Sequence, residues 1–310
     1  MSKRQKLSRA AKNFLLSHKL TGKKPVTHSR TAMFHMGRCG STVLSEMLNQ
    51  HGEIYWAGEI FENMHLRYGN LTKKPNAELH ILNRSMHEPY SLYAMFRGSS
   101  YPEKYNAYGF ETKYLREQHL SEDNVNLPLS TYIKMLEENG FEKFIILDRK
   151  NYLRMIVSRS IGKQIGQWHT KEVKEKASRA HIPVDTLNWG RWKGSLIDRL
   201  RDLDSQHSEM EDLLKNKSSL KLTYEKHISS DPRVAYGLVC RYLGVQANPV
   251  TVKLKKTNPF PLNEIISNWT EVSHALSGTE YEWMLTDELP SRATSQASVS
   301  RRRRRSAVTS

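Results

Sequence analysis

A chain of 310 residues with 38% hydrophobic composition has enough apolar material for one large or two small domains. Its net charge of +16 is unevenly placed: residues 1–30 hold nine Lys or Arg and no acid, and residues 291–310 hold six Arg and no acid, which leaves about +1 for everything between. A nearly neutral body with two basic ends argues against a nucleic-acid-binding domain, which carries its charge on the folded surface. No window approaches the roughly 18 consecutive apolar residues of a membrane-spanning helix. No apolar segment follows the basic start as in a secretory signal. Two cysteines, Cys39 and Cys240, are too few for a disulfide framework and suit a reducing compartment. A cytoplasmic location is therefore expected.

In chain order, residues 1–24 predict a short basic amphipathic helix, with Leu7, Ala10, Ala11, Phe14 and Leu15 at helical spacing beside Lys6, Arg9 and Lys12. It reads as a solvated leader, with peripheral contact to a membrane surface as the other use of such a segment. Strand and helix then alternate. Strands are expected at 31–36, 108–112, 144–147 and 220–224; helices at 42–50, 129–138, 152–165, 189–214 and 231–243. Gly140 and Gly244 stand where helices should close. This alternation predicts an α/β fold, a P-loop-like parallel sheet flanked by helices. It forms a single domain over 31–289, with flexible basic termini at 1–30 and 290–310. The Ser-, Ala- and Arg-rich tail, with its run at 301–305, has no apolar period and is expected to be disordered.

The most informative segment is Phe34-His-Met-Gly-Arg-Cys-Gly-Ser-Thr42 and the helix after it. A strand enters Gly37, and a helix starts near Ser41. Gly37 and Gly40 permit backbone angles closed to other residues and let amide N–H groups approach an anion. A helix N-terminus adds free donors and a positive dipole end. Arg38 adds a charge, and Ser41 and Thr42 add hydroxyls. A Walker A loop would need four residues between its glycines and a lysine before the hydroxyl residue, and neither is present. A cysteine phosphatase would place arginine six residues beyond Cys39, where Ser45 stands. Cys39 therefore reads as a small filler in the loop.

With these residues in view, Gly37-Arg-Cys-Gly-Ser-Thr42 resembles the 5′-phosphosulfate-binding loop of sulfotransferases that use 3′-phosphoadenosine 5′-phosphosulfate (PAPS). Many of those relatives carry Ser or Thr in place of Cys39. The next stretch, Asn49-Gln-His-Gly-Glu-Ile-Tyr-Trp-Ala-Gly-Glu-Ile-Phe61, is similar to their bacterial carbohydrate branch, that of trehalose sulfotransferase and the nodulation-factor sulfotransferases. In that branch a glutamate after the loop helix serves as base, and the resemblance places the role on Glu59. Family members also bind the 3′-phosphate through a strand-end arginine and a serine nine residues later, which are Arg149 and Ser158 in this chain. The segments 222–244 and 255–281 resemble the family's Tyr-Glu, Asp-Pro and Leu-Gly motifs and its closing lysine-rich loop.

The resemblance thus implies transfer of a sulfuryl group from PAPS to an acceptor hydroxyl, of a carbohydrate or glycolipid, with Glu59 catalytic. Gly37, Arg38, Cys39, Gly40, Ser41, Thr42, Arg149 and Ser158 would bind the co-substrate. No metal is required, and the thirteen histidines show no metal-ligand spacing. Lys113, Trp168, Lys255 and Lys256 stand close to family positions without a fixed role. Two other readings remain. Asp148, ending an apolar strand, fits the Mg²⁺ carboxylate of a nucleotide kinase. The basic termini fit a non-catalytic polyanion binder.

Overall fold

Strand β1 (Ser29–His35) sets the architecture by alternation. Ala32 and Phe34 join one hydrophobic core while Met33 joins another, so the strand is covered on both faces. Strand β4 (Lys143–Asp148) repeats the division, with Phe144 and Ile146 on the first face and Ile145 and Leu147 on the second. A sheet buried on both sides is the parallel kind, and the strands read as near-continuous apolar runs for that reason.

The computed structural model describes residues 29–59, 61, 105–121, 127–138, 140–172 and 175–286. The basic leader and the Arg-rich tail lie outside the described residues. Between them are helix α1 (Ser41–Leu48), β2 (Ile54–Glu59), β3 (Ala107–Lys113), α2 (Leu129–Glu138), β4 and α3 (Tyr152–Ile165). A short hairpin of β5 (Leu187–Trp189) and β6 (Trp192–Gly194) follows, then α4 (Leu196–Leu214), β7 (Ser219–Thr223), α5 (Tyr224–His227) and α6 (Arg233–Leu243). Helices α7 (Leu262–Ile265) and α8 (Trp269–Leu276) and a closing 3₁₀ turn complete it. The five-stranded sheet has the order β2-β3-β1-β4-β7, and each pairing is parallel. The expected α/β fold with a parallel sheet flanked by helices is what the chain adopts. Among the described residues no helix is long and apolar enough to cross a membrane.

Two differences from the sequence reading have local causes. The helix expected from residue 189 starts at Leu196, capped by Ser195, whose side chain accepts the Asp198 N–H. The preceding residues form the β5–β6 hairpin because Trp189 and Trp192 both lie against the guanidinium of Arg199, at 4.9 and 5.1 Å. Arg199 is fully buried and paired with Glu117 and Asp202. Strand β2 was not expected at all. It is held by Trp56, whose ring lies across Gly109 of β3, where any Cβ would come within 2.1 Å of it.

The chain leaves β1 through α1 toward β2 on one side of the sheet, and leaves β4 toward β7 on the other. Adjacent strands whose connections depart in opposite directions open a crevice at their carboxyl ends, where ligands of such sheets bind.

Candidate functional site

The crevice holds a cavity of about 480 Å³. Its walls come from the segments after β1, β4 and β7 and from the 252–258 loop. Arg38, Gly40, Ser41 and Thr42 line it together with Arg149 and Ser158, which stand more than a hundred positions further along the chain. Gly37, Cys39 and Glu59 do not line it.

The loop between β1 and α1 explains that division. Gly37 (φ +83) turns its N–H inward to His35 Nδ1 at 3.1 Å, so that amide is spent inside the protein. Cys39 is fully buried in the core between α1, α6 and the sheet, and burial pushes its thiol up to about 12. It is a packing residue and stays protonated. Gly40 has φ +86 and caps α1; a Cβ there would fall 2.6 Å from Ile228 Cγ2. Glycine is thus required twice over, by conformation and by space. Beyond it Ser41, Thr42 and Val43 of the first turn of α1 line the cavity, and a helix N-terminus favours an anion through its N–H donors and dipole. Ser41 lines the cavity but also bonds to the buried carboxylate of Glu111.

Arg38 adopts φ +54, the one described non-glycine residue with positive φ. Such a conformation is held only where the surroundings impose it, and here three segments do. Its Nε donates to Ser158 Oγ at 3.0 Å, one terminal nitrogen donates to the Trp168 carbonyl at 2.8 Å, and the other to Thr257 Oγ1 at 3.1 Å. The Trp168 ring lies 5.7 Å from the guanidinium. Burial, with the nearby charge of Arg149 adding to it, pushes Arg38 down to about 10. Two guanidiniums that disfavour each other in one half-buried pocket make a strong place for an anion.

Arg149 is held by three contacts, while its Nε is buried without a hydrogen-bond partner among the described residues. Its N–H donates to Asp148 Oδ1 at 2.7 Å, a terminal nitrogen donates to the Arg38 carbonyl at 2.9 Å, and its guanidinium lies 4.2 Å from the Tyr224 ring centre. The next two backbone N–H groups, of Lys150 and Asn151, donate to the two oxygens of Glu225 at 3.2 and 3.0 Å. Asn151 then caps α3 by accepting the Arg154 N–H at 2.8 Å. Tyr224 and Glu225 were legible only as part of a motif; the structure gives them the task of aiming Arg149. Thr257 lay within the lysine-rich segment that resembles the family, without a role of its own there. Lys255, Lys256 and Trp168 line the same cavity. Among its described lining residues the cations are Arg38, Arg149, Arg154, Lys255 and Lys256, and the acid is Glu225, both of whose oxygens are taken by backbone donors.

Asp148 is not at the cavity surface. It is 1% exposed, pairs with Lys150 Nζ at 2.8 Å and lies 3.4 Å from His207.

Glu59 stands at the carboxyl end of the edge strand β2 and does not line the cavity. Its carboxylate pairs with Lys113, with His119 at 3.6 Å and His35 at 3.7 Å. The Lys113 stem passes Gly37, with Cε 3.7 Å from where a Cβ would stand. His35, Glu59 and Glu111 offer ligand atoms within 4.8 Å of one another, a composition that could hold a metal. The Lys113 ammonium already supplies Glu59 with a cation, and Glu111 is filled by donors, including Trp56 Nε1 at 2.8 Å. We read the cluster as a network of ion pairs and hydrogen bonds around Glu59 and Glu111.

No family model matches this chain, and no curated protein matches it. Among solved structures it is similar to a sulfotransferase from Alicyclobacillus acidocaldarius, at 14% identity and a TM-score of 0.44, over 85% of this chain and 98% of that one.

Proposed function

We propose that this chain is a PAPS-dependent sulfotransferase that moves a sulfuryl group to a hydroxyl of a carbohydrate or glycolipid. The observation that carries the reading is the single cavity in which the N-terminus of α1, Arg38, Arg149 and Ser158 converge. A nucleotide with phosphates on both the 3′ and 5′ positions of its ribose matches that arrangement: one anion at the start of α1, another near Arg149 and Ser158. Arginine's planar fork suits phosphate oxygens. The sequence motifs at 37–42, 49–61 and 144–158 resemble the same family.

In the proposed reaction the acceptor oxygen attacks sulfur in line with the bridging oxygen. The new O–S bond forms as the S–O bond to the 5′-phosphate breaks. The acceptor proton passes to Glu59, and the electron pair leaves with adenosine 3′,5′-bisphosphate. Charge grows on that phosphate, where the α1 amides and the cations of the cavity stabilise it. Because Glu59 ends β2 and does not line the cavity, the acceptor in this reading approaches from the β2 end of the sheet.

The kinase reading is weaker on a specific ground. Asp148, its Mg²⁺ ligand, is buried, paired with Lys150 and bonded to the Arg149 N–H. Incubation with labelled PAPS and a panel of sugars and glycolipids, followed by mass detection of an added sulfate, tests the proposal. Transfer that persists in a chelator supports it. Transfer of phosphate from ATP that chelation abolishes would replace it with the kinase reading, and salt-sensitive polyanion binding alone would favour the third.

A further inference from the structure

His35 is fully buried at the carboxyl end of β1, in register with Lys113 of β3. Its Nδ1 accepts the Gly37 N–H at 3.1 Å. A ring nitrogen that accepts a hydrogen bond carries no proton, so the neutral ring holds its proton on Nε2. That nitrogen faces two carboxylates from two strands, Glu111 Oε2 at 3.5 Å and Glu59 Oε1 at 3.7 Å. Glu59 and Glu111 are themselves register partners. Glu111 is fixed in place: Trp56 of β2 donates to its other oxygen at 2.8 Å, and Ser41 and Ser45 of α1 bond to it. One end of the imidazole therefore bonds to the loop backbone; the other, Nε2, is buried without a hydrogen-bond partner among the described residues and lies 3.7 Å from the carboxylate assigned to proton transfer.

We propose that His35 is a positioning residue for Glu59, coupling the orientation of its carboxylate to Gly37 of the anion-binding loop through one neutral ring. This rests on the sulfuryl-transfer reading, in which Glu59 takes the acceptor proton. The charged and titratable groups facing the ring are Glu59 from β2, Glu111 and Lys113 from β3, and His119. Burial, with Lys113 and His119 adding to it, holds His35 well below the usual histidine range. A proton on Nδ1 would set one N–H against another at Gly37 and break the link.

The two ends of the ring can be tested separately. Asparagine places its amide oxygen near the Nδ1 position and lacks the Nε2 end; glutamine reaches the Nε2 end and lacks the Nδ1 acceptor. The measurements on the full chain are ¹⁵N shifts of the His35 ring, calorimetric affinity for adenosine 3′,5′-bisphosphate, and the rate of transfer from PAPS against pH. The wild-type ring should be the Nε2–H tautomer and should not titrate between about pH 5 and 8. His35→Asn should keep nucleotide affinity within about threefold while kcat falls about tenfold or more, with the acid limb of kcat/KM displaced. His35→Gln should show the reverse, affinity falling about tenfold with kcat at saturation little changed.

Parallel losses in both variants would reduce His35 to a packing residue and overturn the proposal. An Nδ1–H tautomer, or a ring that titrates near neutrality, would overturn it on wild-type protein alone, whether or not the variants fold. Wild-type protein with no affinity for the bisphosphate would instead remove the sulfuryl-transfer reading and this inference with it. Intact wild-type binding with an unsplit variant pattern removes the inference only.

Discussion

Arg38 Nε donates to Ser158 Oγ at 3.0 Å, which joins the loop after β1 to the middle of α3. The two residues belong to what the sequence presented as separate phosphate anchors. Arg38 is thus a strut of the cavity as well as a charge within it, and Arg38→Lys separates the two roles. Lysine keeps the charge but loses the fork that reaches Ser158, the Trp168 carbonyl and Thr257. Affinity for adenosine 3′,5′-bisphosphate should fall about tenfold or more, measured by calorimetry. Unchanged affinity would show that charge alone matters.

Arg149→Ala removes the guanidinium aimed by Tyr224 and the Arg38 carbonyl. The expected loss of nucleotide binding is about 2 kcal/mol, roughly thirtyfold. Tyr224→Leu should weaken binding by less, because the Arg38 carbonyl still holds one nitrogen. Titration of both variants against the same nucleotide gives the order, and the opposite order would contradict the support assigned to the ring.

Glu59→Gln should leave nucleotide affinity unchanged, since Glu59 is outside the cavity. Turnover should fall by about 10²–10⁴, the usual range for loss of a general base. Single-turnover transfer from labelled PAPS checks it; a rate close to wild type would take Glu59 out of the reaction.

Gly40→Ala should damage both fold and site. The new Cβ would meet Ile228 Cγ2 at 2.6 Å in a backbone conformation unfavourable to alanine. Together these cost about 3 kcal/mol. Denaturant unfolding should show the loss, whereas Gly52→Ala, at a position with open space around it, should not.

Stability should also depend on pH through two buried histidines. Burial depresses both His35 and His207 from the ordinary value of 6.5. Below that pH the unfolded chain takes up protons at both positions before the folded chain does, so stability falls as pH drops through this window. Above it neither group contributes a slope. Denaturant midpoints at pH 7.5 and 5.5 should therefore differ, with the lower value at the acid side; a flat profile would mean that both rings protonate freely in the fold.

Much of this architecture was written locally. Helices Leu129–Glu138 and Tyr152–Ile165 agree with the apolar period to the residue, and the strands before Gly37 and Arg149 differ only at their ends. Periodicity reports which face of an element is buried, and that is decided within a few residues. Trp189 shows the limit: its apolar spacing continues the α4 pattern, but its ring is claimed by Arg199, and the backbone turns into a hairpin. The loop at 37–42, Arg149 and Ser158 were likewise visible as residue types at set spacings.

What those residues touch was not. The strand order β2-β3-β1-β4-β7 sets β1 between two strands that lie far from it in the chain. Only that order puts Arg38 on Ser158 and Thr257, Arg149 over Tyr224, and His35 between Glu59 and Glu111. It also turns Gly37 and Cys39 away from the cavity that their neighbours line. The sequence by itself determined the elements and the chemical groups at their ends, because backbone period and glycine placement act over a few residues. The tertiary structure alone decided which groups meet, because hydrogen bonds and ion pairs depend on distances that only the packed sheet defines.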